Sequence, residues 1–243
     1  MDYGIFRTIL QSSGVSENSV LVVHSGLSRL SRKGYRAEQI IEILLDSVET
    51  LIMPAMSWRT VTVDNPFWDE INAASITGVL SEVFRTRYAT SRSIHPTHSA
   101  SGYGRQASHL LSRHHLDETP VSMNSPYGLM RDSDAHVLMI GCGLESCTAI
   151  HIIEEHFEPD LYLRPAIETY RCTDRNGAIH DVRTRRHWRL DRDFPRFATS
   201  LADKGQLRSG NIDDCPYLLV SMQHLLTEVN EAFRRDLNAT LRH

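Results

Sequence analysis

Two stretches of this 243-residue chain concentrate side chains able to move protons. The first, Arg92-Ser93-Ile94-His95-Pro96-Thr97-His98-Ser99, sets two imidazoles and several hydroxyls around a proline that keeps the run from being a plain helix. The second is Cys147-Thr148-Ala149-Ile150-His151-Ile152-Ile153-Glu154-Glu155-His156. On a helix His151, Glu154 and Glu155 stand at i, i+3 and i+4, so both carboxylates share a face with the imidazole. A carboxylate beside a histidine orients the ring and supports its protonated form, as a general base requires. Thr148 falls in the first turn, where a hydroxyl and free backbone N–H groups can meet a ligand. An amphipathic helix that merely exposes charge has the same spacing, so both readings stay open. A loop that cradles a ligand and a helix that presents a base together point to an enzyme.

Other chemistries fit less well. Zinc-protease helices place two histidines at i and i+4, whereas His151 and His156 are separated by about 140° around a helix and cannot face one ion. No metal is therefore expected. There is no Gly-x-Ser-x-Gly elbow and no P-loop, and Gly102-Tyr103-Gly104 is too little for a dinucleotide fingerprint. Cys147 precedes the helix start, where thiol pKa values fall; it is either a nucleophile or a small buried hydrophobe.

The elements that must position these groups follow a βαβ rhythm. Residues 2–13 read as an amphipathic helix with Ile5, Ile9 and Leu10 on one face. Ser19 to His24 is an unbroken apolar run, the mark of a buried strand, and it ends in the hydroxyl-rich turn Ser25 to Ser31. A helix follows over 37–48, then a second buried strand at Thr50 to Met53 and a third at His136 to Ile140. Between them, helices are expected over 76–88 and from about 104 to 114. Residues 166–190 read as antiparallel strands around Asn176-Gly177, and the C-terminal stretch as helices over 194–204 and 217–236. The expected fold is α/β: one domain over 1–243, a central mixed sheet covered by helices, and a small antiparallel β excursion near 166–190. Ligands in such sheets collect at the carboxyl ends of the strands, where Ser25 to Ser31, Ser57 to Asp64 and Gly141 to Thr148 lie.

Bulk properties bound the function. With 41% hydrophobic and 23% charged residues and a formal charge of −4, the chain has an ordinary globular composition and lacks the basic surface of a nucleic-acid binder. Arg183, Arg185, Arg186, Arg189 and Arg192, with His187 and Trp188 among them, form one local exception: a salt-bridged surface or an anion site. No apolar run approaches the ~20 residues that span a bilayer, and no secretory start is evident. Four scattered cysteines fit reduced thiols in a cytoplasmic protein.

Taken in order, several motifs resemble the aminoglycoside 3-N-acetyltransferase family, which is distinct from the GNAT acetyltransferases. They are Val22-Val23-His24-Ser25-Gly26-Leu27-Ser28, Met53-Pro54-Ala55-Met56, Gly78 to Arg85, Arg92 to Ser99, Ser125-Pro126 and Thr148 to Glu154. The resemblance covers roughly residues 2–235 and implies acetyl transfer from acetyl-coenzyme A to an amine of an aminoglycoside or related aminosugar. By resemblance, His24, Ser25, Gly26, Leu27, Ser28 and Ser31 would contact the coenzyme's diphosphate. His95, Thr97 and Ser99 would line the thioester region, with Ser125 nearby. His151 matches the catalytic histidine, Glu154 its carboxylate, and Thr148 a donor to the oxyanion; neither a metal nor a covalent intermediate is implied. Asp64, Asp69, Glu70 and Glu82 are acids that could hold a polyamine, or could simply be solvated. Two positions depart from the family's pattern: Cys147 replaces an asparagine, and Gly26 replaces the second serine of the His-Ser-Ser turn. The chain is also shorter than typical resistance enzymes of this kind. The expected partners are the amine and coenzyme A, with no nucleic acid and no membrane; a homodimer is compatible with the sequence. The alternatives are a biosynthetic N-acyltransferase on a nucleotide-linked aminosugar and a non-catalytic coenzyme-binding member.

Overall fold

A computed structural model describes residues 1–242 of the protein. Its centre is a run of parallel strands whose alternating side chains are buried on both faces. Strand β1 (Val20–Ser25) lies between β2 (Thr50–Pro54) and β6 (Ala135–Ile140), parallel to both, with Val22 opposite Ile52 on one side and Val137 on the other. Hydrogen bonding in this core leaves no edge exposed, because antiparallel strands extend it at both ends. Strands β5 (Ala100–Gly104) and β4 (Ser91–Arg92) continue beyond β2, and β10 (Cys215–Ser221) and β9 (Leu207–Ile212) beyond β6. The result is a seven-stranded mixed sheet in the order β4-β5-β2-β1-β6-β10-β9.

The period-2 alternation of the strands divides the core in two. Leu21, Val23, Leu51 and Met53 pack against Phe6 and Ile9 of helix α1 (Gly4–Ser12), Ile40 and Leu44 of α3 (Ala37–Leu45), and Phe84 of α4 (Val79–Arg87). Val20, Val22, Ile52 and Val137 point the other way. They meet Leu110 of α5 (Ala107–Leu111), Tyr127 of α6 (Pro126–Leu129) and Ile153 of α7 (His151–Phe157). The same cluster takes in Tyr162 of α8 (Pro159–Tyr162), Phe197 of α9 (Arg196–Asp203) and Leu225 of α10 (Met222–Phe233). The short helix α2 (Ser28–Arg32) follows β1 directly.

The expected β excursion is present and larger than the sequence implied. Strands β7 (Glu168–Thr173) and β8 (Ile179–Thr184) form the hairpin around Asn176-Gly177, and β3 (Phe67–Asp69) joins β7 in parallel. Val61, Trp68, Tyr170, Cys172 and Val182 give this small sheet its own buried cluster.

Two expected helices are corrected. Residues 217–221 belong to β10, not to a helix: Ser221 caps α10 by accepting from His224 N–H at 3.1 Å, so the helix begins at Met222. Residues 100–104 form β5, and the helix after it is confined to Ala107–Leu111. In helix α1 the buried face is Phe6, Ile9 and Leu10, with Ile5 only partly covered. No helix among the described residues is long and apolar enough to cross a membrane.

Candidate active site

The carboxyl ends of β1, β2 and β6 meet where the chain turns from one side of β1 to the other, the place where such sheets bind ligands. A cavity of about 500 Å³ opens there. One group of its lining residues follows the main-sheet strands: Met56 and Trp58 after β2, Thr97 and His98 before β5, and Glu145, Thr148 and His151 after β6. A second group, Arg186 to Leu190 and Arg192, follows β8.

His151 begins α7, directly after the 3₁₀ turn Thr148–Ile150. Its Nδ1 lies 2.6 Å from Glu154 Oε2. An ionised carboxylate only accepts, so Nδ1 carries the proton and Nε2 keeps the free lone pair. Glu154 is fully buried and held from three sides. Arg192 Nε donates to both carboxylate oxygens at 2.9 and 3.1 Å, Thr240 Oγ1 donates to Oε1 at 2.7 Å, and Tyr162 Oη sits 3.0 Å behind Thr240. Burial alone would raise this carboxyl, but His151 and the Arg192 guanidinium outweigh it and hold the group below the usual carboxylate range. The carboxylate is thus a fixed negative charge that fixes the tautomer and tilt of the imidazole.

Behind His151 stands a second imidazole–carboxyl contact. The His187 ring stacks on the His151 ring at 4.3 Å between centroids, and His98 meets His187 edge-on at 5.1 Å. Burial, then the neighbouring His151, pushes His187 well below its ordinary value; burial does the same to His98. Glu155 Oε1 lies 2.8 Å from His187 Nε2, off the line of a hydrogen bond, and accepts from Val121 N–H at 2.9 Å instead. Burial raises Glu155 to about 8, so this contact joins two neutral groups. His151, Glu154 and His187 bring ligating atoms within 4.8 Å of one another. A divalent cation there would face the Arg192 guanidinium and a carboxylate already occupied by it, so the trio suits proton transfer better than metal binding. Burial also raises Cys147 to about 12 and Cys142 to about 11, which leaves thiols rather than nucleophilic thiolates.

The residues singled out in the sequence are distributed as follows. Thr97, Thr148 and His151 line the cavity, with Glu154 directly behind. His95 is buried: its Nδ1 accepts from the N–H groups of Thr97 and His98 at 3.2 and 3.0 Å, and its ring stacks on His114 at 4.4 Å. Ser99 Oγ donates to Ala55 O at 2.7 Å and accepts from Arg92 Nε, and Ser125 Oγ caps α6 at Gly128 N–H while donating to Ser122 O. Both hydroxyls are spent inside the protein. Leu27 belongs to the core, His24 is buried, and Ser28 and Ser31 are exposed on α2. Gly26 lies against the other turn: a Cβ on it would stand 2.7 Å from Gly141 O, so a serine there would force the two strand ends apart. The acids do not gather at the cavity. Asp64 is exposed; Asp69 accepts from the N–H groups of Ile71 and Asn72; Glu70 pairs with Arg175; Glu82 pairs with Arg85 at 2.7 Å.

The sequence marked Arg192 and His187 only as part of an arginine-rich stretch, Trp58 and Glu145 only as part of longer turns at the strand ends, and Thr240 not at all. A side chain arriving from residue 240 onto α7 leaves no trace in spacing. Arg186 has a structural part: it donates to Val61 O, Trp58 O and Tyr170 Oη, and so ties the loop after β2 to the small sheet.

A family model described as aminoglycoside 3-N-acetyltransferase matches residues 22–234. The SPbeta prophage-derived aminoglycoside N(3')-acetyltransferase-like protein YokD of Bacillus subtilis (strain 168) is 28% identical over 168 residues, 60% of this chain and 61% of that protein. Aminoglycoside N(3)-acetyltransferase IV of Salmonella sp is 32% identical over 149 residues, 60% of this chain and 55% of that one. The match therefore spans less than two thirds of either relative's length. Among solved structures, AAC-IIIb in binary complex with CoASH superposes with a TM-score of 0.78 at 22% identity, covering 97% of both chains, a likeness of fold.

Proposed function

Because the chain belongs to the aminoglycoside 3-N-acetyltransferase family of acetyltransferases, we propose that it moves the acetyl group of acetyl-coenzyme A directly to an amine of an aminoglycoside or related aminosugar, with His151 as general base. The observation that carries this reading is the His151–Glu154 pair on the cavity wall, with its free Nε2. An amine attacking a thioester must lose a proton as the C–N bond forms, and the imidazole accepts it. The fixed charge of Glu154 stabilises the imidazolium that results, and Arg192 and Thr240 keep that carboxylate in place. The tetrahedral oxyanion needs a donor, and the Thr148 hydroxyl, a residue of the same wall, would supply it. When the C–S bond breaks, the imidazolium returns its proton to the departing thiolate, and the base is restored.

Two features support coenzyme A as the donor. AAC-IIIb, of the same fold, carries CoASH. In this chain the turn after β1 leaves Ser25 Oγ buried without a partner among the described residues, next to the bare backbone of Gly26 and the exposed hydroxyls of Ser28 and Ser31. A buried hydroxyl with no partner is costly unless a ligand supplies one.

The test is thiol release from acetyl-coenzyme A by wild type and His151→Ala over a panel of amines. A positioned base contributes ~10²–10⁴-fold, so the variant is expected to lose about that much while still binding coenzyme A. Equal rates in the two proteins would remove His151 from the mechanism.

A further inference from the structure

The cavity is more cationic than a site for a polycation should be. Arg59, Arg186, Arg189 and Arg192 line it, against Glu145 as the one acid among the described lining residues. Arg192 is matched by Glu154, and Arg186 has Glu168 at 3.8 Å. Arg59 and Arg189 have no acidic partner among the described residues: both are exposed, and the Arg59 guanidinium only rests on the Trp58 ring, 4.8 Å from its centroid. Glu145 in turn spends one oxygen on Gly143 N–H. The acids that could have held a polyamine, Asp64, Asp69 and Glu82, stand outside the cavity.

An aminoglycoside brings several amines, enough of them protonated near neutral pH to make it a polycation. Two unmatched guanidinium groups at the mouth of a concave, partly desolvated site would raise its energy rather than lower it. A phosphate has the opposite requirement. Its oxygens match the guanidinium fork, and two forks can share one dianion. Trp58 and Trp188 add aromatic surface to the same lining, each ring with an arginine over one face, Arg59 and Arg164. We propose that the acceptor is a phosphate-bearing aminosugar, bound through Arg59 and Arg189 with its amine directed to His151. The inference rests on the acetyl-transfer reading for the fate of the amine, but not for the binding preference itself.

Coenzyme A also carries phosphates, so the experiment must separate donor from acceptor. Calorimetry with coenzyme A held at saturation would compare glucosamine, glucosamine 6-phosphate, a nucleotide-linked glucosamine and kanamycin, on wild type and on an Arg59→Ala/Arg189→Ala variant. Both side chains are exposed, so the variant is expected to fold, as circular dichroism would verify. At least one phosphate-bearing amine should bind tenfold or more tighter than glucosamine and tighter than kanamycin. The double substitution should erase that gain and change coenzyme A affinity less than twofold. The proposal is overturned if the phosphate brings no gain, if kanamycin binds best, or if the loss falls on coenzyme A. Thiol release is followed separately: its absence with every amine would defeat the transfer reading while leaving the binding comparison decisive for this one.

Discussion

Glu154 and Glu155 are neighbours in sequence, and both are buried, yet the fold drives them in opposite directions. Glu154 keeps its charge because His151 and Arg192 surround it. Glu155 has only the Val121 N–H and the Thr119 side chain to support a charge, and burial, with the neighbouring Glu154 and Asp117 adding to it, raises it to about 8. The sign of the consequence follows from linkage. An unfolded Glu155 would titrate near 4.5, so the fold's preference for the protonated form is harmless below that value and becomes a growing penalty as pH rises through about 8. Glu155→Gln keeps an acceptor for Val121 N–H and cannot ionise. Its melting temperature should exceed that of wild type at pH 9, by the equivalent of a few kcal/mol, and the gap should close toward pH 5. Thermal denaturation at the two pH values measures this; a gap that does not depend on pH would mean that Glu155 is not titrating in the fold.

At the scale of elements, the two turns that meet at the sheet's carboxyl end set what the site can tolerate. Gly26 donates to Ile140 O at 2.7 Å, and Gly141, with φ of +66°, has Gly26 O pressed against the place where a Cβ of its own would stand. Gly26→Ala should therefore cost about 1–3 kcal/mol, and Gly141→Ala more, since it adds a left-handed conformation that a side chain resists. Urea unfolding would show it as lower midpoints for both, with Gly141→Ala lower; an unchanged midpoint for Gly26→Ala would mean the turns part freely. The strands bearing these turns were legible because Val20 to Val23 and Val137 to Ile140 are unbroken apolar runs buried on both faces. Strand β5 was not, because Ala100-Ser101-Gly102-Tyr103-Gly104 carries no such run. Its Gly102 is a packing necessity, with Ile52 and Leu111 atoms 2.7 and 2.9 Å from the place a Cβ would take. Apolarity alone also cannot separate strand from helix over Tyr217 to Val220; the Ser221 cap was the available signal. The hydrogen-bonded pair on the cavity wall was legible for the simpler reason that His151 and Glu154 share one turn of one helix. Their supports, Arg192 and Thr240, come from distant segments, and only the fold brings them in.

Over the whole molecule, the histidines decide how the protein meets acid. His24, His95 and His114 are each almost wholly buried, and burial is the leading cause that holds all three below the ordinary 6.5, His24 and His114 at about 4. Their surroundings explain why a second proton is unwelcome. Nε2 of His24 and of His95 has no partner among the described residues, while His114 already donates Nε2–H to Pro120 O at 2.9 Å and accepts from Ser93 Oγ–H at 2.8 Å. A group whose folded pKa is depressed contributes stability that is complete above its unfolded value and is lost as pH falls through the folded one. The window here runs from 6.5 down to about 4 for His24 and His114. Each such group gives a slope of about 1.4 kcal/mol per pH unit, against a total stability of about 5–15 kcal/mol for a typical domain. Glu155, protonated only in the fold over this window, offsets one of them, while His98 and His187, held down in the same way, add to them. Glu154, held below the carboxylate range, adds its own loss only further down. The protein should thus unfold cooperatively between about pH 6 and pH 4, above the range where carboxylates protonate, with uptake of two or more protons. Far-ultraviolet circular dichroism against pH gives the midpoint, and the steepness of the transition gives the proton count. A midpoint below pH 3.5 with single-proton steepness would assign acid unfolding to the carboxylates and leave the buried imidazoles without a part in it.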